Sequence, residues 1–209
     1  RQHLAEYYAM ITHIDYEIGK VLDILRETGQ LDNTIIVFAG DNGLAVGRHG
    51  LMGKQSLYEH SIHIPMLLSG PGIPKNKTTR AKAYTVDFYP TLCELAGVEV
   101  PDTVMGHSLA PVLRGELETT RDYLYYVYKE FIRAVNVNGM KLIEYNVYGN
   151  RRTQLFNLDK DPMEIDDLST DPSKSELNAK IAIISDAVTI SKPVSLTGKL
   201  FGPPIPVTI

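Results

Sequence analysis

The chain has 209 residues, 44% hydrophobic and 22% charged, with a formal net charge of −4. That balance is ordinary for a globular protein of one large domain or one domain with a small appendage, and an acidic surplus without polybasic clusters argues against nucleic acid or an anionic membrane surface as partner. A single cysteine, Cys93, excludes an internal disulfide and a cysteine-based zinc site, and no apolar run approaches the ~20 residues a membrane-spanning helix needs.

The opening segment, RQHLAEYYAMITHID, is polar and helical, with neither an initiating Met nor the pattern of a signal peptide. The chain is therefore expected to be a piece of something longer. Leu4, Tyr7, Tyr8, Ile11, Ile14, Ile18, Val21, Leu22 and Leu25 recur at three- and four-residue steps, which predicts an amphipathic helix with one wide apolar face. Gly29 is placed to end it. The run TIIVFA (34–39) has β-branched and aromatic residues without polar alternation, as in a strand covered on both faces. Helix, short turn and buried strand form one unit of a parallel α/β sheet. A short helix is expected over 55–61, a second buried strand in HIPMLLSGPG (63–72), and a helix over 86–96 with Pro90 in its first turn.

From about Arg121 the pattern changes. YLYYVY, IRAVNVN, MKLIEY and RTQLFNL are short strand-like segments separated by Asn-Gly and Gly-Asn turns, and Asn138-Gly139 is a strong hairpin signal. They predict a small antiparallel sheet of about four strands, followed by a polar loop, DPMEIDDLSTDP, and a helix over 175–190. The expected organisation is the C-terminal part of an α/β domain over 1–120, an α+β subdomain over 121–190, and an extended Pro/Gly-rich tail over 191–209. Arg133, Asn136 and Lys141 read as solvated strand residues, and Tyr125, Tyr126 and Tyr128 as core more than as a sugar-stacking surface.

The chemistry concentrates in IIVFAGDNGLAVGRHGLMGK (35–54). In open α/β sheets ligands gather where strands end, and there Asp41 and Asn42 offer two hard oxygen donors, which suits Ca²⁺, with Mg²⁺ second, better than zinc. Gly43 lets the backbone turn away. Two donors do not fill a calcium shell of six to eight oxygens, so the remaining ligands would come from outside these residues. Lys54, flanked by glycines, can present its ammonium to an oxyanion; Arg48 and His49 could add a cation and a proton donor. Each has an ordinary alternative: Asp-Asn-Gly is a common turn, a lysine after glycine is commonly solvated, and a lone histidine is commonly structural.

This run resembles the C-terminal half of the sulfatases of the alkaline phosphatase superfamily. The matching residues are Asp41-Asn42-Gly43, the G-x-H-G-L-x-G-K element from Gly47 to Lys54, Leu57-Tyr58-Glu59, and Ile64-Pro65-Met66. YYAMITHIDYEIGKVLDIL, TVDFYPTLCELAGVEVP, GHSLAPVLRG and LFNLDKDPMEIDDL extend the likeness, in order, to about residue 170. The resemblance implies Asp41 and Asn42 as calcium ligands, Lys54 as the sulfate- and leaving-group lysine, and His49 at the pocket mouth; Arg48, by its charge and place in the run, is expected as a further substrate-binding cation. Asn at 42, where the two-metal phosphatases usually place His, favours the sulfatase branch. It further implies a formylglycine nucleophile, a sulfated small molecule or glycan as substrate, and a periplasmic or secreted location. The C/S-x-P-x-R motif that yields formylglycine is absent, and Cys93 is expected to be a buried, inert thiol. On this reading the chain pairs with a missing N-terminal part and is inactive alone. Two alternatives remain: a phosphodiester or phosphonate-ester hydrolase of the same superfamily, and a non-catalytic binding module.

Overall fold

A computed structural model describes residues 2–182 and the backbone of 206–208. Helix α1 (Gln2–Glu27) forms over the predicted span. It ends as expected: Gly29 takes φ 67°, and the Gln30 N–H returns to the Leu25 carbonyl at 2.8 Å, satisfying an orphan carbonyl of the last turn. No residue of α1 is buried among the described residues, so its apolar face, Tyr8, Ile11, Ile14 and Val21 included, is open.

Strand β1 (Ile36–Ala39) pairs antiparallel with β2 (Ile64–Ser69), from Ile36 opposite Ser69 to Ala39 opposite Met66. β2 runs parallel to β8 (Pro206–Thr208), which also pairs antiparallel with β3 (Ala83–Tyr84). The helix-and-sheet class read from the sequence holds, with a mixed rather than parallel sheet among the described strands. The reason lies in the β1–β2 connection. Its only α-helix, α2 (Glu59–Ile62), has four residues, too few to form the covering crossover that joins parallel neighbours. Coverage is also one-sided: Ile64 and Met66 are buried while Leu67 is 65% exposed, and Phe38 of β1 is 38% exposed. Ile64, Met66, Ala83 and Leu109 form the small core of this sheet.

Next come α3 (Phe88–Leu95), with Pro90 in its first turn, and α4 (Ala110–Leu113). Cys93 lies in α3 but is half-buried rather than buried, because the outer face of this helix also has no described cover. Asp87, just before α3, is fully buried and organises the segment. Its carboxylate accepts the Tyr84 N–H (2.7 Å), the His107 N–H (2.8 Å) and both terminal nitrogens of Arg121 (2.6 and 2.7 Å).

The second sheet is a four-stranded antiparallel meander of β4 (Tyr123–Tyr128), β5 (Ile132–Val137), β6 (Met140–Val147) and β7 (Asn150–Asn157). Asn138 and Gly139 take φ 50° and 75°, the two positive values a two-residue type I′ hairpin demands. The next hairpin turns on Tyr148-Gly149 (φ 50° and 82°), one residue before the predicted Gly-Asn. Both faces of this sheet are covered. Leu124, Tyr126, Ala134, Ile143 and Phe156 meet Leu57 and Ile62 of the β1–β2 connection, while Val135, Leu142 and Leu155 meet Ile181. Ile181 lies on α5, helical from 175 to the end of the described segment at 182. The remainder of the helix predicted to 190, and the tail apart from β8, lie outside the described residues.

Double coverage corrects one expectation. Lys141 on β6 is not solvated: it is fully buried, on the face of the second sheet that meets the β1–β2 connection. Burial of an ammonium requires partners, and Glu59 and Glu164 supply them. Glu164, in the segment expected to be a polar loop, is 2% exposed for the same reason.

Candidate functional site

β1 delivers the chain to Gly40, whose N–H still bonds the Pro65 carbonyl, and then releases it. Asp41 is exposed and its Oδ1 accepts the Asn42 N–H at 2.9 Å, while the Asn42 side-chain amide donates to the Gly43 carbonyl at 2.9 Å. This fixes Asn42 with its carbonyl oxygen turned toward Lys54, whose Nζ donates to Asn42 Oδ1 at 2.7 Å. Gly43 is pressed onto the next segment: its N–H bonds the Ser61 carbonyl, and a Cβ there would lie 2.1 Å from the His60 carbonyl oxygen. Gly43→Ala is therefore expected to cost about 1–3 kcal/mol of stability through overpacking, and to displace Asn42 from Lys54. Denaturant unfolding with a parallel activity assay would check both.

Residues 44–54 return to Asn42 as a closed loop. Ala45 and Gly53 join by one backbone hydrogen bond (3.0 Å) and Gly47 and Leu51 by another (2.7 Å), with Ala45 buried as its plug. Gly47 and Gly50 take positive φ, as the tight loop requires. His49 does so too, at φ 52°, a conformation a non-glycine residue keeps only where surroundings enforce it. The enforcement is visible: its ring stacks on Tyr58 (centroids 4.0 Å, planes 4° apart), and its Nε2–H donates to the Met163 carbonyl at 3.0 Å. Tyr58 in turn donates to Gln154 of β7 at 2.8 Å.

The structure thus joins Asn42 to Lys54 at the end of β1, with Asp41 alongside through its bond to the Asn42 N–H. Arg48 and His49 sit on the same exposed loop, but His49 is tied to Tyr58 and to the turn beyond the second sheet. The donor chemistry of the set, a carboxylate and an amide oxygen that already accepts from an ammonium, fits a hard cation as an incomplete shell. Among the described residues no group of three His, Cys, Asp or Glu side chains gathers that could hold a metal ion. A cleft of ≈ 580 Å³ lies elsewhere, lined by Glu59, His63, Arg80, Lys82, Asn136 and Asp159 among others. None of the five predicted site residues lines it, and the Asn42 oxygen and the Lys54 ammonium meet on the loop instead.

Sequence reasoning passed over His60. Its Nε2 lies 3.2 Å from Ser56 Oγ, and its ring is 5.7 Å from that of His49. Burial, with electrostatic opposition from His49, Arg48 and Lys141 to a further positive charge, lowers its pKa from 6.5 to about 4. A histidine depressed on folding binds its proton more readily when unfolded, so the stability it contributes is full above pH 6.5 and is lost as pH falls toward 4. Thermal unfolding of the wild type is expected to weaken across that window, and His60→Gln should flatten the dependence. A cluster of histidines in GRHGLMGKQSLYEHSIH was the available signal.

Comparison with known proteins places these residues in context. The profile of the family described as N-sulphoglucosamine sulphohydrolase, C-terminal, matches residues 47–188. An N-acetylglucosamine-6-O-sulfatase of Bacteroides thetaiotaomicron is 36% identical over 181 residues, covering 82% of this chain and 31% of that protein. A solved structure of a protein in complex with its substrate D-glucosamine-2-N,6-O-disulfate superposes with a TM-score of 0.72 at 27% identity, over 86% of this chain and 38% of that one. A phosphonate monoester hydrolase of Silicibacter pomeroyi gives a TM-score of 0.71 at 26% identity, over 89% and 40%. The chain spans between 31% and 39% of the length of the curated relatives it matches.

Proposed function

We propose, from the premise that this chain belongs to the sulfatase family, that the full-length protein hydrolyses sulfate esters and that Asp41, Asn42 and Lys54 form this chain's share of the active site. The observation that carries the reading is the Lys54 ammonium 2.7 Å from Asn42 Oδ1, beside Asp41, at the carboxyl end of a sheet strand. An ammonium next to two hard oxygen donors is the arrangement that lets a cation and a tetrahedral oxyanion share one place.

In this reading Asp41 and Asn42 would hold calcium together with ligands from outside the chain. That ion would supply positive charge to the sulfate oxygens. Lys54 grips the sulfate and neutralises charge on the bridging oxygen as the sulfur–oxygen bond breaks. Arg48, exposed on the same loop, adds a cation at the rim, and His49 stands at the mouth as the candidate proton donor to the leaving group. The nucleophile, a formylglycine, would come from the part of the protein outside this chain, since Cys93 sits within α3 without the Pro and Arg that its formation needs. The two sulfated-glucosamine relatives point to an amino-sugar sulfate as substrate class.

The phosphonate-ester reading has one observation in its favour, the similar fold match at 26% identity. Hydrolysis of an aryl sulfate and of the matching aryl phosphate by the full-length protein, before and after calcium chelation, separates the two. The expected result is preference for the sulfate, lost on chelation and restored by calcium. Preference for the phosphate would transfer the protein to the sister hydrolases.

A further inference from the structure

The 49–59 stretch is held from outside its own sheet. Its polar anchors run to the second sheet and the turn beyond it: His49 Nε2 to the Met163 carbonyl, Tyr58 Oη to Gln154, the Glu59 N–H to Glu164 Oε2 (2.6 Å), and Glu59 Oε1 from Lys141 Nζ (2.8 Å). Glu164 Oε1 also lies 2.5 Å from Lys141 Nζ, as an ionic contact rather than an aligned hydrogen bond. His63 closes the far side, its Nδ1 3.1 Å from Glu59 Oε2. One fully buried ammonium therefore joins two carboxylates from elements far apart in the chain, inside an apolar cluster that includes Leu57, Ile62, Leu124 and Tyr126.

We propose that the Lys141–Glu59–Glu164 cluster is a positioning device for the candidate site. It locks the Met163–Glu164 turn onto residues 49–59, so the second sheet sets the geometry of the loop bearing His49 and Lys54. The physical case is that a buried ion cluster is a poor source of net stability, because desolvation offsets its attraction and apolar isosteres often do as well. What it supplies is direction. Charge-assisted bonds have narrow geometry, and they fix the register of two elements that apolar contacts alone would let slide. The left-handed backbone of both His49 (φ 52°) and Glu164 (φ 58°) marks the two ends of the clamp as over-determined. Burial opposes ionisation of Glu59, but Lys141 and the His63 hydrogen bond outweigh it and hold its pKa at about 2, so the Lys141–Glu59 pair stays charged at neutral pH, while at Glu164 burial outweighs the pull of Lys141 and raises the carboxyl above its ordinary range.

The consequence for turnover rests on the sulfatase reading; the consequence for loop order does not, and the test separates them. In the full-length protein, a neutral triple variant, Lys141→Met with Glu59→Gln and Glu164→Gln, removes the charges while keeping volume. Its thermal midpoint is expected to stay near the wild type. Amide exchange of Ala45, Gly47 and Leu51 should accelerate about tenfold or more while β1 and β2 keep their protection, and kcat on an aryl sulfate should fall about 10–100-fold with a smaller change in KM. Should the triple variant fail to fold, Glu164→Ala alone, which cuts the ties of the turn to the Glu59 N–H and to Lys141 but leaves the Lys141–Glu59 pair in place, is read the same way. A folded variant with wild-type loop exchange overturns the proposal. Accelerated exchange in a protein whose wild type cleaves no sulfate ester supports the clamp and sinks the functional reading instead.

Discussion

Lys54→Ala in the full-length protein is expected to lower kcat for sulfate-ester hydrolysis by about 10²–10³-fold, the usual cost of deleting a preorganised charge donor at a developing oxyanion. Stability should be unaffected. Lys54 is exposed and makes one side-chain hydrogen bond, to Asn42, while the loop that carries it is closed by backbone bonds and by buried Ala45. Nothing in the fold leans on the ammonium. Arginine is not expected to rescue the rate: its planar fork spreads the charge and cannot reproduce a compact ammonium at 2.7 Å from Asn42 Oδ1. Steady-state kinetics beside calorimetry decide the matter. An unchanged kcat would remove Lys54 from the site, and a fallen melting temperature would make it a structural residue instead.

How much of this could be read without coordinates depends on the range of the interaction. The Asn138-Gly139 hairpin and the Gly29 helix end were legible because local backbone demand selects the residue. The closed loop from Ala45 to Gly53 was legible as a site candidate, since an apolar strand running into interleaved glycines and polar residues combines tight-turn backbone with hard oxygen donors and cations. Lys141 was not legible. Within MKLIEY its charge reads as solvated although Ile143 and Tyr145 share its face, and only Glu59 and Glu164, 82 and 23 positions away, make its burial tolerable. His49 illustrates the middle case: its motif drew attention to it, but its tie to the Met163 carbonyl depends on how the second sheet docks. The two-sided cover expected for TIIVFA was misjudged for another reason, while the wide apolar face predicted for α1 is present and lies open. Apolar patterning reports that a face will be covered, not whether the covering atoms belong to the residues in hand.

Arg121→Leu carries the largest expected stability effect, a loss of about 3–5 kcal/mol, because removing one partner strands a buried charge. Asp87 is fully buried and the Arg121 side chain is 11% exposed, so water cannot replace the guanidinium without opening the segment. The carboxylate would keep only the Tyr84 and His107 N–H donors. Arg121 also lies over the Tyr84 ring, 4.8 Å from its centroid, and Tyr84 in turn exchanges hydrogen bonds with the Tyr125 backbone. One substitution therefore loosens β3, the start of α3 and the entry to the second sheet together. Urea unfolding is expected to show a lower midpoint with an unchanged slope, the mark of lost stability without a change in the surface exposed. A loss below about 1 kcal/mol would class the pair with exposed ion pairs, and the stability of the junction of the two sheets would then rest on the apolar contacts of Leu57 and Ile62.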